Sequence, residues 1–88
     1  MIDKQDIKQR LSLPAVVELC TGRRIPGGGL ISCPFHDDKN PSCKIYPNHW
    51  YCFGCGRHGD VIQWVSEWEN VDFKTALQIC SEMLNQAR

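Results

Sequence analysis

Two pairs of metal-binding residue types stand in the middle of the chain. Cys33 and His36 lie two residues apart in "CPFH", Cys52 and Cys55 two apart in "CFGC", with fifteen residues between the pairs. Two donors on one tight turn, a hairpin-sized spacer and two donors on a second turn form the pattern that encloses a tetrahedral zinc ion. Three thiolates and one neutral imidazole would hold one ion with no open position, which makes its role structural. Gly54 and Gly56 suit a backbone that curls around the sulfurs and turns amide N–H groups toward them. His58, three residues after Cys55, competes for the nitrogen position; His36 is preferred because it completes a symmetric pair of turns.

A redox pair at Cys52 and Cys55 would leave Cys33 and His36 unexplained. A disulfide staple would need an oxidising compartment. The N-terminus, "MIDKQDIKQR", is charged from its third residue and has no apolar stretch behind it, and no later run is long enough to span a membrane. A cytoplasmic setting without membrane contact is therefore expected. Cys20 and Cys80 fall on apolar helical stripes, and Cys43 sits mid-strand; these three read as core residues.

With 88 residues and six cysteines, the chain is one small domain near the size at which a hydrophobic core alone gives marginal stability. Metal binding would add on the order of 10 kcal/mol to its folding. The ordering along the chain is helical, then β, then helical. Asp3 to about Leu11 places Ile7 and Leu11 on one face, with Asp3 as N-cap. Pro14 suits the first turn of a second helix that packs Val16, Val17, Leu19 and Cys20 inward and stops at Gly22. "PGGG" at 26–29 is a turn, since no strand–helix frame supports a phosphate loop there. "LISC", "SCKIYP" and "HWYCF" read as short antiparallel strands.

Asp60 can cap a helix with Val61, Ile62, Val65 and Trp68, and Asp72 a last one with Phe73, Ala76, Leu77, Cys80 and Leu84. The fold class is α+β: a zinc ribbon over residues 30–56, preceded by a helical segment at 1–22 and followed by two helices within 60–88.

Ten basic and ten acidic residues cancel. The cysteine-rich middle nevertheless carries Arg23, Arg24, Lys39, Lys44 and Arg57, while the last 28 residues lean acidic. A closed metal site does no chemistry itself, so function is expected on the surface it shapes. Lys44, Tyr46 and Trp50 on the strands, with Lys39, Arg57 and His58 at the turns, combine cations with aromatic rings. That combination suits a single-stranded nucleic acid: phosphates on Lys39, Lys44 and Arg57, and bases stacked on Tyr46 and Trp50. Half-buried packing on the helices is the alternative for Tyr46 and Trp50.

The stretch "CPFHDDKNPSCKIYPNHWYCFGCGRHGDVIQWVSEWENVDFKTALQIC" resembles the N-terminal zinc-binding domain of bacterial DnaG-type DNA primases, over about residues 12 to 84. That family shows both metal knuckles, a Lys-x-Pro-Ser after the first, and Gly-Asp before two helices. The resemblance implies Cys33, His36, Cys52 and Cys55 as ligands of one structural zinc. It implies a ribbon that helps read single-stranded DNA template, with primer synthesis performed by a separate primase catalytic domain or subunit and the replicative helicase as a further partner. This chain carries Cys43 where phenylalanine is usual after Pro-Ser.

No enzymatic activity is expected of the chain by itself. Phosphoryl transfer needs carboxylate-held magnesium, and "HDD" at 36–38 abuts a zinc ligand instead. A different class of function is a protein-interaction module, in which zinc shapes the ribbon and the helix bearing Trp64 and Trp68 docks a replication partner.

Overall fold

Ser12 separates two short helices. In the computed structural model, which describes residues 4–35 and 41–86, α1 runs Lys4–Arg10 and α2 runs Leu13–Thr21. The Ser12 side chain accepts a hydrogen bond from the Ala15 N–H at 3.3 Å. Pro14 fills the first turn, where a missing N–H leaves nothing unpaired. Gly22 ends α2 in the left-handed conformation (φ 71°), its N–H donating to the Glu18 carbonyl. Asp3, the expected N-cap of α1, lies outside the described residues.

Leu13, Val16 and Val17 are buried and Cys20 half-buried; at spacings of three, four and seven they share one helical stripe. Leu19 was expected there too, but it lies on the opposite side and is 72% exposed.

Among the described residues, the sheet has four antiparallel strands in chain order: β1 (Leu30–Ile31), β2 (Cys43–Ile45), β3 (Trp50–Cys52) and β4 (His58–Gly59). β4 falls outside the expected ribbon. Two residues, His and Gly, carry no alternation to announce a strand; pairing with Tyr51 and Trp50 makes it one. The loop before β1 closes on Gly29 (φ 77°), whose N–H donates to the Pro26 carbonyl and whose own carbonyl accepts from Ile45 N–H at 2.7 Å.

The register places Ile31, Cys43 and Cys52 in one row, and Ile45, Trp50 and Gly59 in another. Cys43, Ile45, Trp50 and Cys52 are buried. The intervening row, Leu30–Lys44–Tyr51–His58, crosses all four strands on the opposite face.

Helices α3 (Val61–Glu69) and α4 (Phe73–Gln86) follow. Asp60 caps α3, accepting from Gln63 N–H at 2.9 Å, and Asn70 ends it with φ 56°. Asp72 accepts from Thr75 N–H at 2.9 Å at the start of α4. These hydrogen bonds with Thr75 hold the Asp72 carboxyl below its ordinary pKa. Ala76 and Cys80 are fully buried. Burial pushes the Cys80 thiol up to about 11, so it stays protonated at neutral pH. Phe73, expected on the same stripe, is the first residue of α4 and is 49% exposed.

The helices and the inward sheet face share one core around Trp50 and Trp64, whose rings meet edge to face at 5.3 Å. The Trp50 indole N–H donates to the Asp60 carbonyl at 3.0 Å. The buried Trp64 indole N–H makes at most a weak contact with the Cys20 sulfur. Among the described residues, no helix is long and apolar enough to cross a membrane.

A Cβ at Gly29 would lie 2.8 Å from the Ile45 carbonyl oxygen, whereas one at Gly27 would meet nothing within 4 Å. Gly29→Ala should therefore lower unfolding free energy by about 2 kcal/mol in urea titrations. Gly27→Ala should leave it within about 0.5 kcal/mol.

Because the folded Asp72 carboxyl is depressed, its stabilisation is fully present above the ordinary carboxylate pKa of about 3.9 and is lost as pH falls through the lower folded value. Asp72→Asn should remove that part of the acid dependence in pH-resolved melting curves.

Candidate metal centre

Three loop and strand ends bring sulfur atoms together. Cys33 lies just past β1, Cys52 closes β3, and Cys55 sits in the turn between β3 and β4. Their Sγ atoms all lie within 4.8 Å of one another. Zn–S bonds of about 2.3 Å give a tetrahedron with sulfur–sulfur edges of about 3.8 Å, so small adjustments suffice to clasp an ion. None of the six cysteines forms a disulfide. The donor set fits zinc, and the chemistry a bound ion supplies is cross-linking of the two turns.

The turns are built by backbone hydrogen bonds. Cys52 N–H donates to the Arg57 carbonyl and Gly56 N–H to the Cys52 carbonyl, at 2.8 and 2.7 Å. Gly56 takes φ 81°, a conformation that favours glycine. Phe53 N–H donates to the Ser42 carbonyl, tying the second turn to the residue before β2.

Cys33 and Cys52 are buried, Cys55 exposed. Burial pushes the Cys33 thiol well above its ordinary pKa; the Phe35 backbone N–H opposes this, and the neighbouring Cys52 and Cys43 reinforce it. A divalent cation among such thiols takes the place of their protons.

The fourth expected ligand, His36, lies outside the described residues, as does Lys39. His58 is described, and it is not part of the sulfur cluster. Its Nδ1 lies 3.1 Å from the Gly56 carbonyl oxygen, and its ring stacks on Tyr51 with centroids 5.6 Å apart. Cys43, opposite Cys52 in the sheet, is fully buried and also stands outside the cluster.

Arg57 ties the centre together. Its Nη1 donates to the Phe35 carbonyl at 3.0 Å and approaches the Cys55 sulfur at 3.8 Å, while its Nε pairs with Glu67 of α3 at 3.4 Å. One guanidinium thus links the first turn, the second turn and a helix, and places a positive charge beside the Cys55 sulfur. Sequence spacing alone suggested only a phosphate contact for this residue.

The expected nucleic-acid residues separate by sheet face. Trp50 corrects an expectation: it is fully buried and presents no ring face to a base. The reason is strand parity, because Trp50 shares the inward side with Cys52. Tyr51 and Phe53, which sequence reasoning passed over, point the other way and are 38% and 66% exposed, with ring centroids 4.9 Å apart. Their position could have been read from the ligand itself: if Cys52 faces inward, its neighbours face out.

Lys44 shares that outer face, its Nζ donating to the Gly28 carbonyl and lying 5.8 Å from the Tyr46 ring centroid. Tyr46 stacks on His49 at 4.3 Å. Trp64 is fully buried as well, so of the two helix tryptophans only Trp68 reaches the surface.

Elemental assay of zinc-refolded protein should find metal lost in Cys33→Ser, Cys52→Ser and His36→Ala, and retained in His58→Ala and Cys43→Ala. Arg57→Gln should bind zinc but release it several-fold faster to a chromophoric chelator; an unchanged release rate would show that the guanidinium contributes nothing to the centre.

The CHC2 zinc finger family, the DnaG zinc ribbon, matches residues 3–87. The DNA primase of Thermotoga maritima is 35% identical over 77 residues, which cover 84% of this chain and 14% of that protein. The DNA primase of Mycobacterium leprae is 33% identical over 82 residues, covering 89% and 13%. That of Mycolicibacterium smegmatis is 44% identical over 52 residues, covering 57% and 8%. The chain thus spans at most 14% of the length of these relatives. No solved structure matches it. With the convergent sulfurs, the four-stranded ribbon and a match over nearly its whole length, this chain belongs to the CHC2 zinc finger family.

Proposed function

We propose that this domain binds single-stranded DNA template during primer synthesis for DNA replication. One structural zinc is held by Cys33, His36, Cys52 and Cys55. The polymerising step falls to a primase catalytic domain or subunit, with the replicative helicase as a further partner in the cytoplasm. The reading rests on one observation above all: exposed Tyr51, with the Phe53 and His58 rings against it, lies beside Lys44 on the sheet face opposite the buried Cys52.

Rings on a flat sheet offer stacking platforms to unpaired bases whatever their sequence, and a neighbouring ammonium meets the phosphates. Lys44 gives one N–H to Gly28 and keeps two donors for a strand. Tyr46, held flat against His49, extends the platform. Arg57 is engaged with Phe35 and Glu67, so its part in this reading is to support the turn that carries His58. The protein's neutral formal charge favours modest affinity that depends on local cations.

Anisotropy titrations with a short labelled oligonucleotide should show weaker binding at 200 mM than at 50 mM salt. Lys44→Glu should weaken binding about tenfold at low salt and flatten the salt slope. The double variant Tyr51→Ala/Phe53→Ala should lose at least about fivefold at every salt concentration. Equal affinity at both salts, with both variants binding like the parent, would instead favour a protein-interaction module.

A further inference from the structure

We propose that the domain has a second ligand site, in the cleft between the end of α2, β1 and the last turn of α3. It takes a nucleotide, with the base against Trp68 and the phosphate on Arg23 and Arg24. The choice of a nucleotide rests on the single-strand reading above; the cleft itself does not.

The cleft measures about 440 Å³, within the range of small-ligand sites. Arg23, Arg24 and Trp68 line it together with Leu30, Ile31 and Cys33, so its floor adjoins the sulfur cluster. Both arginines are exposed, and among the described residues neither forms an ion pair with a carboxylate. The nearby Glu18 carboxylate accepts the Ile25 N–H at 2.8 Å, which holds the loop carrying the arginines against α2. The Arg23 N–H donates to Thr21 Oγ1, fixing the start of the same loop.

Trp68 is 37% exposed, and its ring lies nearly parallel to Trp64, with centroids 6.3 Å apart and planes 11° apart. Trp64 is fully buried, so Trp68 lies alongside a core ring with part of its own surface open to the cleft. An indole and two arginines lining one cleft match a planar ring carrying an anion, since arginine offers charge and both residues suit stacking.

The cleft also lies at the β1 edge of the sheet, touching both Leu30 of the outer row and Ile31 of the inner one. Leu30 lines it and begins the row Leu30–Lys44–Tyr51–His58. Four strands at about 4.8 Å spacing make that row about 14 Å long, so a strand lying across the sheet reaches the cleft within a few nucleotides. The nucleotide could belong to that strand or arrive as a free nucleoside triphosphate; the ring and phosphate chemistry is the same.

The test uses the zinc-loaded full chain with its three indole N–H signals followed by NMR, Trp68 being assigned through Trp68→Phe. ATP and a mixed-sequence DNA twelve-mer are titrated separately into the parent and into Arg23→Gln/Arg24→Gln. At least one ligand should move the Trp68 signal, and the double variant should bind that ligand about tenfold more weakly. A shift with ATP identifies a free nucleotide; a shift with the DNA alone identifies a nucleotide of the strand.

If neither ligand moves the Trp68 signal, or the double variant binds as the parent does, the proposal is overturned. Lys44→Glu and Tyr51→Ala keep the two readings apart. Loss only in these variants supports the sheet and removes the cleft, whereas loss only in the arginine variant supports the cleft and removes the sheet.

Discussion

The convergence of three sulfur atoms governs more than metal binding. Cys52 must face inward to meet Cys33 and Cys55, and that sets the parity of β3. Trp50, two residues earlier, must then enter the core, while Tyr51 and Phe53 must face outward. The metal centre and the exposed aromatic face are therefore two sides of one three-residue strand. A slip of one residue would exchange them, bringing rings to the metal and sulfur to solvent.

The centre is also rooted in the core. Phe35, in the first turn, lies 5.3 Å from the Trp50 ring and 4.9 Å from that of Trp64. Arg57 joins both turns to α3 through Phe35, Cys55 and Glu67. Ordering the ligand turns and packing the tryptophans are thus coupled events. For a chain of this size, whose apolar core contributes only a few kcal/mol net, a bound metal worth on the order of 10 kcal/mol would dominate the stability of the sheet.

A neutral chain can still present a polarised surface. The cations that matter sit where backbone geometry places them: Lys44 against the Gly28 carbonyl, and Arg23 and Arg24 just past the left-handed Gly22 that ends α2. Four of the described acidic residues have structural tasks. Asp60 and Asp72 cap helices, Glu18 holds the loop after α2, and Glu67 receives Arg57. Formal charge balance therefore says little about the field at the sheet or the cleft.

Local chemistry made several features legible from sequence. Ligand spacing identified the sulfurs, a short polar side chain marked the start of α3 and of α4, and Gly22 marked a helix end; each depends on neighbours within a few positions along the chain. What depended on distant partners was not legible. β4 exists because Tyr51 and Trp50 offer an edge to His58 and Gly59, and Leu19 lies outside the core because α2 presents another stripe to it. Arg57 serves the metal centre because Phe35 and Glu67 meet it there. The sequence by itself determined which atoms could bind a metal, where α3 and α4 begin and where α2 ends. Only the tertiary structure decided which rings face solvent and which cations are engaged, because facing is a property of strand pairing and core contacts rather than of any residue alone.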